Sequence, residues 1–423
     1  MSVSSEIAAE PAFDGPPSGA SGSRGLPEAG STLYGRAFWC TYLSNTALMI
    51  AISLMYRYAD FVVFLGGSEL TVGTIVGIGM TGSLVMRFFQ GYGIDHFGPR
   101  RIWLWSLAGF SLSLLGQLFV TEPDGVAIFL LRIAYSTSVA GAFGASITSV
   151  SRSLPVARMA EVIGSLGTSG FIAMALGPQL GDFLCGHDNI TRTDLNTMFY
   201  VAAALGGLAL VAAQFATRDQ TAPRRRRRPH VFWLLRRYHP GSVMVLGVVM
   251  GMGFVIPTTF LPTFALEHGI ERTGPFFLVY AATAFITRLS TRRFPELFGV
   301  RPMVYLGLAA LSTSLLCYLS VTGEWGLLVP GVFAGMAHAV LFPSATAQGS
   351  AAFPNRYRGL GTTVMLAMLD IGTLSGAPLI GAMVKTSKAF DLPPYQATFI
   401  MLAAGVAATG VFYAWSNASD RAS

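Results

Sequence analysis

Among the ionisable side chains inside the long apolar runs of this chain, five set limits on the chemistry that it can do. Asp370 lies about twelve residues into the run 359–382, which at ~1.5 Å per residue places it near the middle of a bilayer-spanning helix. A charge at that depth costs about 2.5–3.5 kcal/mol even on insertion scales, so such a group faces a cavity or a partner. Asp370 is therefore the first candidate for binding and releasing a proton; the plainer reading is a hydrogen bond to Thr362, Thr363 or Thr373 in a helix interface. His338 lies as deep in the run 326–347, entered from the opposite face. It reads either as a neutral ring satisfied by a neighbour or as a proton carrier or ligand. Arg132 lies nearer the outer end of the run 126–150. Arg57 and Asp60 have the i, i+3 spacing of an interfacial pair near the outer end of the first run, where a gate is the alternative. Asn45, Gln117, Gln179 and Gln348 are either hydrogen-bonding groups for a substrate or glue between helices.

The elements that must position these residues follow from composition. Hydrophobic residues make up 52% of the 423 and charged residues only 12%, which excludes an ordinary soluble domain. The expected fold is an all-α membrane protein of twelve transmembrane helices in two pseudo-symmetric six-helix bundles. The spans fall near 38–65, 71–90, 102–120, 126–150, 162–181 and 198–217, then 241–264, 274–291, 302–321, 326–347, 359–382 and 396–415. Kinks are expected at Pro178, Pro257, Pro262 and Pro378. Residues 1–32 read as a disordered cytoplasmic tail, 33–217 as the N-terminal bundle, 218–240 as a basic cytoplasmic linker, 241–416 as the C-terminal bundle and 417–423 as a second tail. Arginines at 100, 101, 152, 158, 224–228, 292, 293, 301, 356 and 358 gather on one face. By the positive-inside rule both termini are then cytoplasmic, in a plasma membrane of bacterial inner-membrane type.

The chain also repeats itself. In GYGIDHFGPRR, Gly91, Asp95, Gly98, Arg100 and Arg101 make a tight turn between two spans, with the charges able to bridge helix ends. Arg87, Asp95, Gly98 and Arg100 stand opposite Arg288, Glu296, Gly299 and Arg301 at a constant shift of 201, and GPQLG at 177–181 stands opposite APLIG at 377–381. Four small-xxx-small faces, Gly73/Gly77, Gly247/Gly251, Gly331/Gly335 and Gly372/Gly376, allow close helix packing. GIGMTG at 77–82 is part of this packing and not a dinucleotide loop, since no strand precedes it. Cys40, Cys185 and Cys317 are too dispersed for a disulfide framework or a metal site. The pentabasic run 224–228 points to anionic lipid rather than nucleic acid. The Asn189-Ile-Thr191 sequon is expected on the outer face.

The second span and its following loop resemble the signature of the major facilitator superfamily, which Gly91, Asp95, Gly98, Arg100 and Arg101 match position by position. The resemblance covers nearly the whole membrane part. It implies that this loop, with Glu296 and Arg301 in the second copy, latches the two halves during alternating access. It also implies that Arg132 corresponds to the arginine of a second motif associated with proton coupling, although Ser136 replaces the expected glycine. GPQLG resembles a motif commoner among exporters, with Ala173 and Asp182 where glycines are usual. By resemblance the cavity draws on spans one, four, seven and ten, which brings forward Asn45, Arg132, Thr258 and His338. The implied activity is proton-coupled export of a small amphipathic organic molecule, such as a drug or a siderophore-like metabolite. Proton-driven uptake of a small anionic nutrient and a non-transporting sensor of the same fold are the alternatives. The expected partners are a small-molecule substrate, protons and anionic lipid at the linker. No cofactor, metal, nucleic acid or enzyme activity is expected, and the protein is expected to be a monomer.

Overall fold

The structure, a computed structural model, describes residues 34–153, 159–185, 190–218, 231–354 and 357–422. The N-terminal tail, the pentabasic run and the sequon asparagine lie outside the described residues. The chain forms long helices because its apolar runs are punctuated by strong start and stop signals. Ser68 and Thr71 form a reciprocal capping box at the start of one helix, as do Thr191 and Asp194 at the start of another. Twelve long helices follow one another: α1 Arg36–Phe64, α2 Glu69–Phe97, α3 Pro99–Phe119, α4 Val126–Ser153, α5 Met159–Cys185 and α6 Arg192–Ala216. The second set is α7 Val243–Glu267, α8 Gly274–Ser290, α9 Val300–Ser320, α10 Glu324–Ala351, α11 Arg358–Ala389 and α12 Pro394–Ala422. Short helices at Val231–Arg237 and Phe294–Phe298 lie between them. Among the described residues, ten helices have the length and hydropathy to cross a bilayer; α5 and α8 stand outside that set and occupy the places of the fifth and eighth expected spans.

Several boundaries differ from expectation. The turn expected over residues 91–101 is mostly helical: α2 runs on to Phe97, and only Gly98 breaks it. Glycine is required there because its backbone has φ 86° and ψ 153°, a region closed to L side chains. Pro99 then begins α3, where its missing N–H is not needed. The second copy repeats the device at Gly299, with φ 81° and ψ 170°. The last helix continues through the described part of the segment expected to be a tail. Of the expected kinks, Pro257 lies in a π turn at Ile256–Phe260 within α7, and Pro262 lies in the first turn of the α-helical segment Leu261–Glu267 that follows.

Packing obeys the duplication. In the first half α1 packs on α5 and α6, α4 on α2 and α3, and α3 on α6. In the second half α7 packs on α11 and α12, α10 on α8 and α9, and α9 on α12. Even a side-chain bond recurs: Ser111 donates to the Ala203 carbonyl between α3 and α6, and Ser312 donates to that of Ala403 between α9 and α12. Two seams join the halves, α2 against α11 and α5 against α8. A Cβ added at Gly73 would stand 2.2 Å from the Ala377 carbonyl oxygen, and one at Gly77 2.7 Å from that of Leu374. These glycines hold the first seam at backbone contact. The other small faces work inside the second half: Gly251 and Gly372 join α7 to α11, and Gly335 lies on the Tyr280 carbonyl of α8.

Candidate functional site

Polar side chains converge at three levels along the seams. The linker end of the molecule is the one where α6 finishes and α7 begins; the far end lies opposite.

Asp370 is buried in α11 and bonds across the first seam. It accepts from Arg87 Nε of α2 at 2.5 Å, from Arg87 Nη2 at 3.4 Å and from the Ser83 hydroxyl at 2.6 Å. Its expected threonine partners bond elsewhere: Thr362 and Thr363 to carbonyls one turn back, and Thr373 to the carbonyls of Gly251 and Leu369. Asp370 is thus half of a charge-balanced pair joining the halves. Arg87 marked the repeat frame in the sequence but carried no assigned role; its place within an apolar run was the signal.

Arg132 of α4 has no acidic partner among the described residues. Its guanidinium lies over the rings of Tyr58, 4.5 Å from the centroid, and Tyr135, 4.7 Å away. Its Nε is buried without a hydrogen-bond partner. The absence of a side chain at Gly79 admits the arginine stem, since a Cβ there would meet Arg132 Cγ at 2.5 Å. Asn45 of α1 is buried, with its Oδ1 unpartnered.

His338 of α10 bonds through Nδ1 to the Tyr280 hydroxyl at 2.8 Å. Its ring stacks on Phe342 and packs at a tilt on Phe254. The Thr258 hydroxyl donates to the Phe254 carbonyl, so Thr258 and His338 share a neighbour. Tyr56 of α1 reaches across to the second half, where it packs against Phe277 of α8 with ring centroids 5.0 Å apart. From there ring contacts lead through Phe276 to Tyr280, which bonds His338. Among the described residues no hydrogen bond joins Asn45, Arg132, Thr258 or His338 to one another, and the tyrosines beside Arg132 and His338 were not anticipated. Tyrosines within an apolar run have no periodicity that separates a cavity wall from a core.

At the far end the halves meet through charge. Arg57 Nη1 bonds Asp60 at 2.9 Å, as the i, i+3 spacing suggested, and Arg57 Nη2 bonds Asp182 of α5 at 2.7 Å. Arg57 Nη2 also reaches the Glu271 carbonyl of the second half at 2.6 Å. Lys388 of α11 pairs with Glu69 of α2 and, at 3.4 Å, with Glu267 of α7. At the linker end Arg100 and Arg101 are exposed, as is Glu296. Among the described residues neither these three nor Arg301 has an ion-pair partner, whereas Asp95 is engaged. Gly91 lies on an exposed helical face of α2. No cluster of potential metal ligands occurs among the described residues.

The family model described as Major Facilitator Superfamily matches residues 37–296 and 276–422. The "Uncharacterized MFS-type transporter YhhS" of Escherichia coli K12 is 23% identical over 366 residues, covering 83% of this chain and 84% of that protein. The "Gallate transporter" of Pseudomonas putida is 24% identical over 390 residues, covering 80% and 84%. Among solved structures, the nucleoside transporter NupG superposes with a TM-score of 0.67 at 15% identity, over 90% of this chain and 98% of that one. The D-xylose-proton symporter gives 0.65 at 15% identity, over 88% and 95%.

Proposed function

The chain belongs to the Major Facilitator Superfamily and is a multi-pass membrane protein, and from that premise we propose that it is a proton-coupled secondary transporter of a small organic anion with a flat or apolar body. The observation that carries this reading is Arg132, a guanidinium held between two tyrosine rings with no acid beside it among the described residues. A carboxylate that enters this level would supply the missing counter-charge and accept from the unpartnered Nε. The rings of Tyr56, Tyr135 and Phe277 would take an apolar body by stacking. A relative of the same family that carries the name of a gallate transporter is consistent with such a cargo.

In this reading the linker end is cytoplasmic and lies against anionic lipid, both termini are cytoplasmic, and the monomer works in a bacterial inner membrane. Asp370 is the coupling acid, because a proton on it would release Arg87 and loosen the seam between α2 and α11. His338 belongs to the cavity wall with Asn45 and Thr258, and its tautomer answers to Tyr280. The latch residues Gly91, Asp95, Gly98, Arg100 and Arg101, with Glu296 and Arg301, act at the linker end when it closes. Export is the second reading, supported by the resemblance of the GPQLG segment at 177–181 to a motif commoner among exporters.

Counterflow in proteoliposomes tests the cargo independently of direction. Labelled small aromatic and aliphatic carboxylates should exchange, their neutral amides should not, and Arg132→Gln should weaken binding by at least about tenfold, or ~1.4 kcal/mol. Exchange of the amides with none of the acids would overturn the reading. Accumulation in cells, repeated with a protonophore, then gives the direction: raised accumulation that the protonophore abolishes means uptake, and lowered accumulation that it restores means export.

A further inference from the structure

We propose that Arg57, Asp60 and Asp182 form a second proton-binding site, at the far end, in which Asp60 is the acceptor and its protonation favours closure of the two halves at that end. The cluster is a built one. The side chains of Arg57, Asp60 and Asp182 are 7%, 8% and 6% exposed. Every nitrogen of the guanidinium is engaged: Nε with Asp182, Nη1 with Asp60 and the Cys185 carbonyl, and Nη2 with Asp182 and the Glu271 carbonyl.

The two carboxylates are not equivalent. Asp182 accepts from Arg57 and, across the second seam, from the backbone N–H of Gly274 at 2.5 Å and of Thr273 at 3.2 Å, as well as from the Thr273 hydroxyl. It therefore caps the start of α8 from the other half, where charged acceptors are favoured. Asp60 receives one bond, from Arg57 Nη1. Its charged neighbours are Arg57 on its own helix and Asp182 on α5. The Cys185 thiol is close by, and Asp194 of α6 acts on that thiol while serving as the cap of its own helix. The segment before α8 contributes the carbonyl of Glu271 and the backbone and hydroxyl of Thr273.

Two carboxylates share one cation, so the closed cluster buries one negative charge in excess. The Arg87–Asp370 pair, by contrast, is balanced. Burying an uncompensated charge is costly, and a proton on Asp60 removes the excess while leaving Arg57 and Asp182 neutral as a pair. The proton comes from water: Arg57, Asp60, Cys185 and Glu271 line a cavity of about 280 Å³ at this end. Closure is thus favoured as the pH falls and relaxed as it rises. Asp182, in the position where the resembling motif has glycine, ties the site to the seam.

The test is a distance measurement without substrate, so its outcome is independent of the Arg132 reading. Spin labels at Val126 and Trp325, exposed positions at the far ends of the two halves, are introduced after Cys40, Cys185 and Cys317 are replaced by alanine. In lipid nanodiscs the wild-type cluster should give a short distance at mildly acidic pH and shift to longer distances as the pH rises. Asp60→Asn should keep the short distance throughout, with loss of the pH dependence, while Asp60→Glu retains it. A wild-type distribution that does not move with pH overturns the proposal, as does an Asp60→Asn protein that moves as the wild type does. Should Asp60→Asn fail to insert, the wild-type and Asp60→Glu series decide the matter.

Discussion

Asp370 and Arg132 are both charged groups within apolar spans, but their surroundings give them opposite tasks. Asp370 is held by a cation and a hydroxyl from the other half, so a change in its charge acts on the seam. Among the described residues Arg132 is held by rings and by no acid, so it is available to an anion from solution. Asp370→Asn should leave counterflow binding intact but abolish accumulation against a gradient; a variant that still accumulates would move the coupling site elsewhere. The same substitution leaves Arg87 without a counter-charge and should lower unfolding stability by about 3 kcal/mol. Adding Arg87→Gln should recover much of that stability without recovering accumulation, as thermal melts in detergent would show. Neither partner of this pair was legible as a pair in the sequence, because the two residues are 283 positions apart and each looks like an isolated charge in an apolar run.

At the scale of elements, the α2 helix carries two devices at opposite ends. Gly73 and Gly77 let it touch the α11 backbone near the far end, and Gly98 ends it at the linker end. A side chain at Gly73 would collide with the Ala377 carbonyl. Gly73→Val should therefore hold the far end open and raise the labelling of a cysteine that replaces Leu70, half-buried against Gly381 at the same seam, read with an impermeant maleimide. Labelling equal to the parent would show that the seam adapts to the added bulk. Asp95→Asn should insert normally and slow turnover, which initial-rate uptake or efflux would reveal; an unchanged rate removes the latch role from this position. The end of α2 was misplaced in the sequence because Gly91 and Gly93 look like turn residues. In the structure they are helical, and glycine in a lipid-facing or packed helix is tolerated where it would weaken a soluble one.

For the whole molecule, the described contacts between the halves are charged and numerous at the far end, while the repeated frame's charges at the linker end have few described partners. Arg57, Asp182 and Lys388 all bond across or beside the seams. Rocking between the bundles must exchange one set of contacts for the other, and the duplicated packing gives the two bundles comparable surfaces at each end. The proposed orientation predicts that cysteines at Arg218 and Trp325 are labelled from opposite sides of the membrane; labelling from one side would overturn the topology.

Hydropathy, the two tracts of similar length and the 201-residue frame were enough to determine the helical class, the order of the helices and their duplication. Those properties are local or periodic, and a chain in lipid has no option but to satisfy its backbone within each span. Tertiary structure alone decided which polar groups meet. Asp370 found Arg87 and not a threonine, Asp182 capped a helix of the opposite half, and Arg132 was left among tyrosines. A hydrogen bond is made or lost over about an ångström, and that distance is set by how the two bundles dock, which no periodicity within either of them encodes.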